Sequence, residues 1–381
     1  MPETHEKPRV GNGAEWQPAR LPARAVDLPR HAELHCISNF SFQRGASHPQ
    51  ELVWQAWDLG YDALAITDEC SLAGVVRAWS GLKDYIRLAE QLEELHPGHR
   101  YVRHDFRLVY GSEFDFGDGR LVALVRDMDG WSGLCEFISA ARMHSEKGTY
   151  DIGWERSDLS LLAGCQILFA PHRFADDAGL AALVARLSML KARFADRLWL
   201  AVEQPGLADD GLWLATLRRA AEVAGVRLAA AGGVQMHVRS RKPLQDVISA
   251  VRMGRPVAAC GQALQPNAER HLRRRMTLAR IYPPALMAET LRVIEGCTFR
   301  LEELNEHCQF PQMTVPDGMT PGFALRCLTW RGAHRRFGRK IPHWIRRFVR
   351  RELDLILSHR WEMFFLTVRD IVAFADGRGI L

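Results

Sequence analysis

Seven polar side chains stand where short apolar runs of this sequence end. His35 closes the first run, in Leu34-His35-Cys36-Ile37-Ser38, and Asp68 and Glu69 close Ile66-Thr67-Asp68-Glu69. Glu113 follows Tyr110-Gly111-Ser112, His172 follows Ile167-Leu168-Phe169-Ala170, and Gln235 and His237 come after the last run. If the runs are strands of one α/β barrel, these groups gather at its C-terminal mouth, where such barrels keep their reactive residues. Histidines and carboxylates so placed could hold cations and activate water, as in a metal hydrolase. The same pattern is also what any strand end shows. Spacing alone leaves both readings open.

A second group is basic. Arg335, Arg336, Arg339, Lys340, Arg346, Arg347, Arg350 and Arg351 lie together late in the chain. Arg346, Arg347, Arg350 and Arg351 recur at helical spacing and are expected opposite Trp344, Ile345 and Phe348. Such a stripe suits phosphate contacts on DNA. It equally suits solvent or an acidic protein surface. The net charge of +5 permits nucleic-acid binding without showing it.

The elements that would position these groups follow from patterning. With 381 residues, 47% hydrophobic and 25% charged, the composition is that of a globular chain of two or three domains. No run approaches the ~20 apolar residues of a membrane helix, and Met1 to Arg30 has no signal-peptide core, so a cytoplasmic location is expected. The eight cysteines form no C-x-x-C pair, which predicts reduced thiols and no zinc knuckle.

Residues 1–30, rich in Pro, Arg and Gly, read as a disordered leader. Buried strands are expected at Ala63–Ile66, Leu108–Tyr110, Leu121–Val125, Ile167–Ala170, Leu198–Val202 and Leu228–Ala231, with a first strand ending near His35. Helices are predicted from Pro49, with Leu52, Val53, Ala56 and Leu59 on one stripe, and over about Leu72–Leu95, Ala178–Phe194 and Gly211–Ala224. This alternation predicts a largely parallel sheet in a distorted α/β barrel of seven units, spanning 31–240. Residues 241–381 read as mostly helical, interrupted over 254–267 and 311–322, with a strong helix starting at Pro342.

Several segments carry a family resemblance. Glu33-Leu34-His35-Cys36-Ile37-Ser38-Asn39-Phe40-Ser41-Phe42, with Gly45-Ala46-Ser47, resembles the opening motif of the PHP (polymerase and histidinol phosphatase) domain. The version is that of the bacterial error-prone polymerases of the replicative alpha-subunit family. Ala63 to Gly74 resembles the second motif and Gly111-Ser112-Glu113-Phe114 the third. Met236-His237-Val238-Arg239-Ser240-Arg241 and Pro266-Asn267-Ala268-Glu269-Arg270-His271 are similar to the same subfamily. Phe364 to Val372 with Gly377-Arg378-Gly379-Ile380-Leu381 resembles the lead-in to the nucleotide-binding loop of the polymerase palm.

The departures bear on chemistry. Where metal-competent PHP domains carry a second histidine, this sequence has Ile37. Their Asp-His is Asp68-Glu69 here, a later histidine position holds Arg120, and the closing Asp-x-His is Gly233-Val234-Gln235. His35, Asp68, Glu69 and Glu113 are thus expected to form a vestigial pocket without a working multi-metal centre. By the resemblance, the intact protein would synthesise DNA on damaged templates with deoxynucleoside triphosphates and Mg²⁺. This chain would supply a PHP scaffold and the start of the palm, would lack the catalytic carboxylates, and would not extend DNA alone. The resemblance implies as partners the rest of the polymerase, primer–template DNA, mutagenesis-complex proteins and the sliding clamp. The rival functions are a non-catalytic interaction module and a metal-dependent phosphoesterase or 3′–5′ exonuclease.

Overall fold

Alanine dominates one side of the strands, and that side becomes the inside of a barrel. The computed structural model describes residues 16–21, 28–143, 145–304, 315 and 318–380. Two units divide between Leu301 and Glu302. In the first, seven strands follow one another in chain order: β1 (Ala32–Glu33), β2 (Ala63–Ile66), β3 (Arg107–Asp115), β4 (Gly119–Val125), β5 (Cys165–Pro171), β6 (Leu198–Glu203) and β7 (Arg227–Ala231). Residues two apart on a strand share a face. Ala32, Ala63, Ala65, Ala170, Ala201, Ala229 and Ala231 accordingly meet in one core cluster with Leu34, Val109, Val122, Leu124 and Leu168.

The ring is nearly closed. Past the last residues of β1 and β7, Cys36 bridges Val234 in parallel. Val234 N–H donates to the His35 carbonyl and Ile37 N–H to the Val234 carbonyl, each at 2.9 Å. On the outside run α1 (Pro49–Asp58), α2 (Val75–Leu95), α3 (Met128–Met143), α4 (Asp177–Phe194) and α5 (Asp210–Ala224). Pro49 opens α1 at a capping box between His48 and Glu51, and Leu52, Val53, Ala56 and Trp57 are its buried stripe. With helices outside and a filled interior, the strands are buried on both faces and read as continuous apolar runs.

The largely parallel barrel expected from the sequence is present with one refinement, and three differences stand out. The sheet is parallel except at β4, which runs antiparallel to both β3 and β5. Only residues 116–118 separate β3 from β4, far too few for a crossover, and Gly117 takes the positive φ that the turn requires. Helix α3 lies outside every helix expected from the patterning. Part of the supposed leader is docked: the Trp16 indole donates to Asp58 at 2.9 Å and stands edge-on to Trp54, with ring centroids 5.9 Å apart. Residues 1–15 and 22–27 lie outside the described residues.

The third difference is the boundary, expected near residue 240. Helices α6 (Lys242–Met253), α7 (Arg275–Ile281) and α8 (Pro284–Glu295) belong to the first unit. Helix α8 floors the barrel at the strand starts. Val293, Ile294 and Cys297 join the alanine cluster. The Thr290 hydroxyl accepts from Ala32 N–H at 3.1 Å, and the Trp199 indole donates to Glu289 at 3.0 Å.

The second unit contains α9 (Pro321–Phe337), α10 (His343–Ser358) and α11 (Glu362–Gly377). Ala324, Leu325, Leu353 and Leu366 make its small core. Trp344, Phe348, Ile371 and Phe374 are each at least 60% exposed. Of the interruption expected over 311–322, residues 311–314 and 316–317 lie outside the described residues, and Pro321 already opens α9. Among those residues no helix is long and apolar enough to cross a membrane, and the seven described cysteines are free.

The floor helix makes the boundary testable. A chain ending at Leu301 should unfold in one cooperative urea transition. A chain ending at Ser240 should lack one, because each large apolar side chain removed from the floor takes away ~1.5–3 kcal/mol of burial. A cooperative, native-like transition in the shorter chain would overturn the assignment.

Candidate functional site

The mouth opposite that floor is built from charged side chains in contact. Residues just past β1 contribute His35, and the loop before α1 contributes Arg44. Residues just past β2 add Asp68 and Glu69, β3 adds Glu113, the end of β6 adds Glu203, and the segment before α7 adds Arg270. Arg44 Nη1 lies 2.7 Å from Glu69 and also donates to Glu113. His35 Nε2 meets Glu113, and His35 Nδ1 lies 2.7 Å from Glu203. Arg270 Nη1 donates to the other Glu203 oxygen at 2.8 Å. The order is Glu69, Arg44, Glu113, His35, Glu203, Arg270.

Both ring nitrogens of His35 face carboxylates, which only accept when ionised, so the ring must donate from both and is an imidazolium. The chain of six then holds three cations and three anions. Burial alone would lower the His35 pKa, but its hydrogen bonds to Glu113 and Glu203 outweigh this and hold it up to about 9. Burial would raise Glu113, yet Arg44 and then His35 keep it far below the usual carboxylate range. Arg270 and His35 do the same for Glu203.

The other residues expected at the mouth are also committed to neighbours. Asp68 accepts from Ser38 N–H at 2.7 Å, Ser38 Oγ at 2.8 Å and Ser41 Oγ at 2.6 Å. Glu69 also accepts from the Tyr150 hydroxyl at 2.9 Å. Gln235 accepts from Gln245, and its backbone is tied to Arg270 and Ala46. His237 is set apart: it pairs with the Ser47 hydroxyl at 2.8 Å, and burial drives its pKa down to about 4. His172 bonds the Gly117 carbonyl at 3.0 Å beside Asp115.

This arrangement does not fit a metal centre. An imidazolium offers no lone pair, Arg44 stands among the carboxylates, and Ile37 is a buried side chain that cannot coordinate. Gly233 gives the sharpest reason. Its φ is +54°, and a Cβ built there would collide with Arg270 Nη1 and come within 2.7 Å of Glu203. An aspartate at this position would have to push the Arg270 guanidinium and the Glu203 carboxylate aside from their present pairing. Among the described residues no group of three or more His, Cys, Asp and Glu side chains could hold a metal.

The arginines of α10 need a correction. At 100° per residue, Arg346, Arg350, Arg347 and Arg351 spread over ~140°, and Arg351 borders the exposed Trp344 and Phe348 rather than opposing them. The inward side is Val349, Leu353 and Ile356. Arg346 is bent back, its Nε donating to the Ile341 carbonyl at 3.1 Å.

Sequence reasoning missed Arg44, Glu203 and the pairing role of Arg270. Glu203 directly follows the run Leu198–Val202, so the strand-end rule that picked Glu113 applies to it equally. Arg44 lies between two quoted motif pieces, and nothing local marks it.

Residues 33–187, which take in β2 to β5 and the His35, Arg44, Glu69 and Glu113 part of the mouth, match the PHP domain family. Residues 324–381 match the bacterial DNA polymerase III alpha NTPase domain. Proteins named error-prone DNA polymerase are similar along nearly the whole chain. Those of Azoarcus sp. (44% identical, 93% of this chain), Methylococcus capsulatus (45%, 92%) and Aromatoleum aromaticum (46%, 92%) are examples. The chain is similar to these bacterial proteins and spans about a third of them, 33%, 31% and 31% of their lengths. A putative metal-dependent phosphoesterase from Bifidobacterium adolescentis is 17% identical over 54% of this chain and 88% of its own, with a TM-score of 0.34. Nothing about the site is carried over at that level.

The charge state of His35 sets a pH dependence. Its folded pKa of about 9 lies above the ordinary 6.5, so its stabilisation is complete below pH 6.5 and disappears as pH rises through about 9. Urea unfolding from pH 6 to 9.5 should lose on the order of 3 kcal/mol from this source. His35→Gln should be less stable at pH 6 and should lack that decline. An equally steep decline in the variant would assign it to other groups.

Proposed function

We propose that this chain is the N-terminal part of a DNA-directed DNA polymerase that copies damaged templates in damage-induced mutagenesis. The observation that carries this reading is the joint match: a PHP barrel followed, from residue 324, by the start of a polymerase III alpha domain. In this reading the barrel is a non-catalytic scaffold. Its candidate ligands are spent on one another, which disfavours the phosphoesterase or exonuclease alternative. The Mg²⁺ and deoxynucleotide chemistry is assigned to the two thirds of the relatives' length that this chain does not span. That remainder, primer–template DNA, mutagenesis-complex proteins and the sliding clamp are the proposed partners, in the cytoplasm. The exposed apolar residues of α10 and α11 suit a surface covered by the same remainder.

A chimera tests the reading directly. Residues 1–381, joined to the last two thirds of the Azoarcus relative, should extend a primer past an abasic template site with Mg²⁺ and deoxynucleotides. A folded chimera that fails where the intact relative succeeds would sink it.

The α10 arginines are the proposed DNA contact. Changing Arg347, Arg350 and Arg351 together to glutamine should shallow the slope of log affinity against log salt for duplex binding, by roughly 0.9 for each phosphate no longer neutralised. Arg346→Gln should not, because that side chain is turned to Ile341. An unchanged slope in the folded triple variant would remove these residues from the interface.

A further inference from the structure

Beside the ion chain lies a cleft of about 360 Å³ outside the ends of β5 and β6. Its polar wall is Arg120, His172, Arg173, Glu203 and Arg270, and its apolar wall includes Pro205, Leu207, Trp213 and Pro266. The charges in this wall are unevenly used. Arg173 is paired with Asp209, at 2.7 Å, and with Asp210. Arg270 is paired with Glu203 but keeps a buried Nε without an acceptor.

Arg120 is the outlier. Its side chain is only 24% exposed, its Nε is buried without an acceptor, and its nearest carboxylate oxygen, on Glu113, is 3.9 Å away. That carboxylate is already shared by Arg44 and His35. Since the six-membered chain is neutral by itself, Arg120 is a surplus cation beside it. A buried guanidinium N–H without an acceptor is costly to keep, even where the rest of the group reaches solvent. It is what an oxyanion site looks like before its ligand arrives, because the guanidinium fork matches phosphate oxygens two at a time.

We propose that this cleft is a metal-independent receptor for a phosphate-type oxyanion, with Arg120 as the principal contact and Arg270 beside it. The anion would neutralise the surplus charge, and the cleft has room beyond a bare phosphate for a small organic substituent against Trp213 and Pro266. The inference rests on the metal-free reading of the mouth and adds a ligand to it. Arg120 reaches the anion from β4, the one reversed strand, at a register position opposite Ala170 of β5.

The test is calorimetric titration of the 381-residue protein with inorganic phosphate, after exhaustive chelation and at constant ionic strength in chloride. Saturable one-site binding is expected, weakened about tenfold or more in Arg120→Gln and less in Arg120→Lys, which keeps the charge but not the fork. Arg120→Gln should stay folded without phosphate, since the hydrogen bonds among the six paired groups remain, although Arg120 no longer helps to hold Glu113 and Glu203 ionised. Linear, non-saturating heats, or undiminished affinity in folded Arg120→Gln, would overturn the proposal. Metal analysis of the same sample separates it from the reading beneath it. Phosphate binding that appears only after Zn²⁺ or Mn²⁺ is taken up overturns both. Absence of binding in protein that takes up no metal overturns the receptor alone.

Discussion

His35 donates to Glu113 on one side and to Glu203 on the other, and the geometry of the mouth depends on that doubled contact. The three residues come from β1's extension, β3 and β6, so one imidazolium ties together strands from opposite parts of the ring. Arg44 and Arg270 complete the row at either end. Removing one partner from a buried charge pair typically costs ~3–5 kcal/mol, because the other charge stays buried and unmatched. Each member is therefore kept in place by the rest. Where a metal hydrolase would use exchangeable cations, this barrel has covalently attached side-chain cations, which cannot leave the site and do not activate water.

That substitution reaches into the backbone. Gly233 leaves room for Arg270 against Glu203, and the following Val234 supplies the backbone bridge to residues 35–37 that brings the ring to near closure. Below it, the alanine interior keeps the barrel narrow, and α8 seals the end remote from the charges. A polar mouth and an apolar floor thus divide the two ends of one barrel between electrostatics and packing.

Much of this is legible in the sequence. Strand ends point to His35, Asp68, Glu69 and Glu113, and all four lie at the mouth. What cannot be read is who pairs with whom. Glu203 stands 168 residues from His35, and Arg270 stands 67 residues from Glu203, so no local spacing encodes either contact. Strand–helix alternation gives a largely parallel sheet without saying which strand is reversed; only the short connection over 116–118 marks β4 as that strand. The boundary falls late because the end of the strands is not the end of the domain. Nothing in the amphipathic pattern of Pro284–Glu295 says that its apolar side faces a barrel floor. On α10, the aromatic residues read as inward, whereas Trp344 and Phe348 are exposed and only the aliphatic side is covered.

The position of α8 in the chain has a consequence for biosynthesis. The bond from Ala32 to Thr290 spans 258 residues, and the floor residues extend to Cys297. During translation, strands β1 to β7 leave the ribosome well before the segment that seals them, and before Arg270 can meet Glu203. Nascent chains in that interval carry open strand edges and unmatched acidic groups at the future mouth. Closure of loops this long is slow, and such intermediates are prone to aggregate. Production of this protein should therefore respond to slower synthesis, lower temperature and chaperone supply more strongly than the finished barrel's stability would suggest.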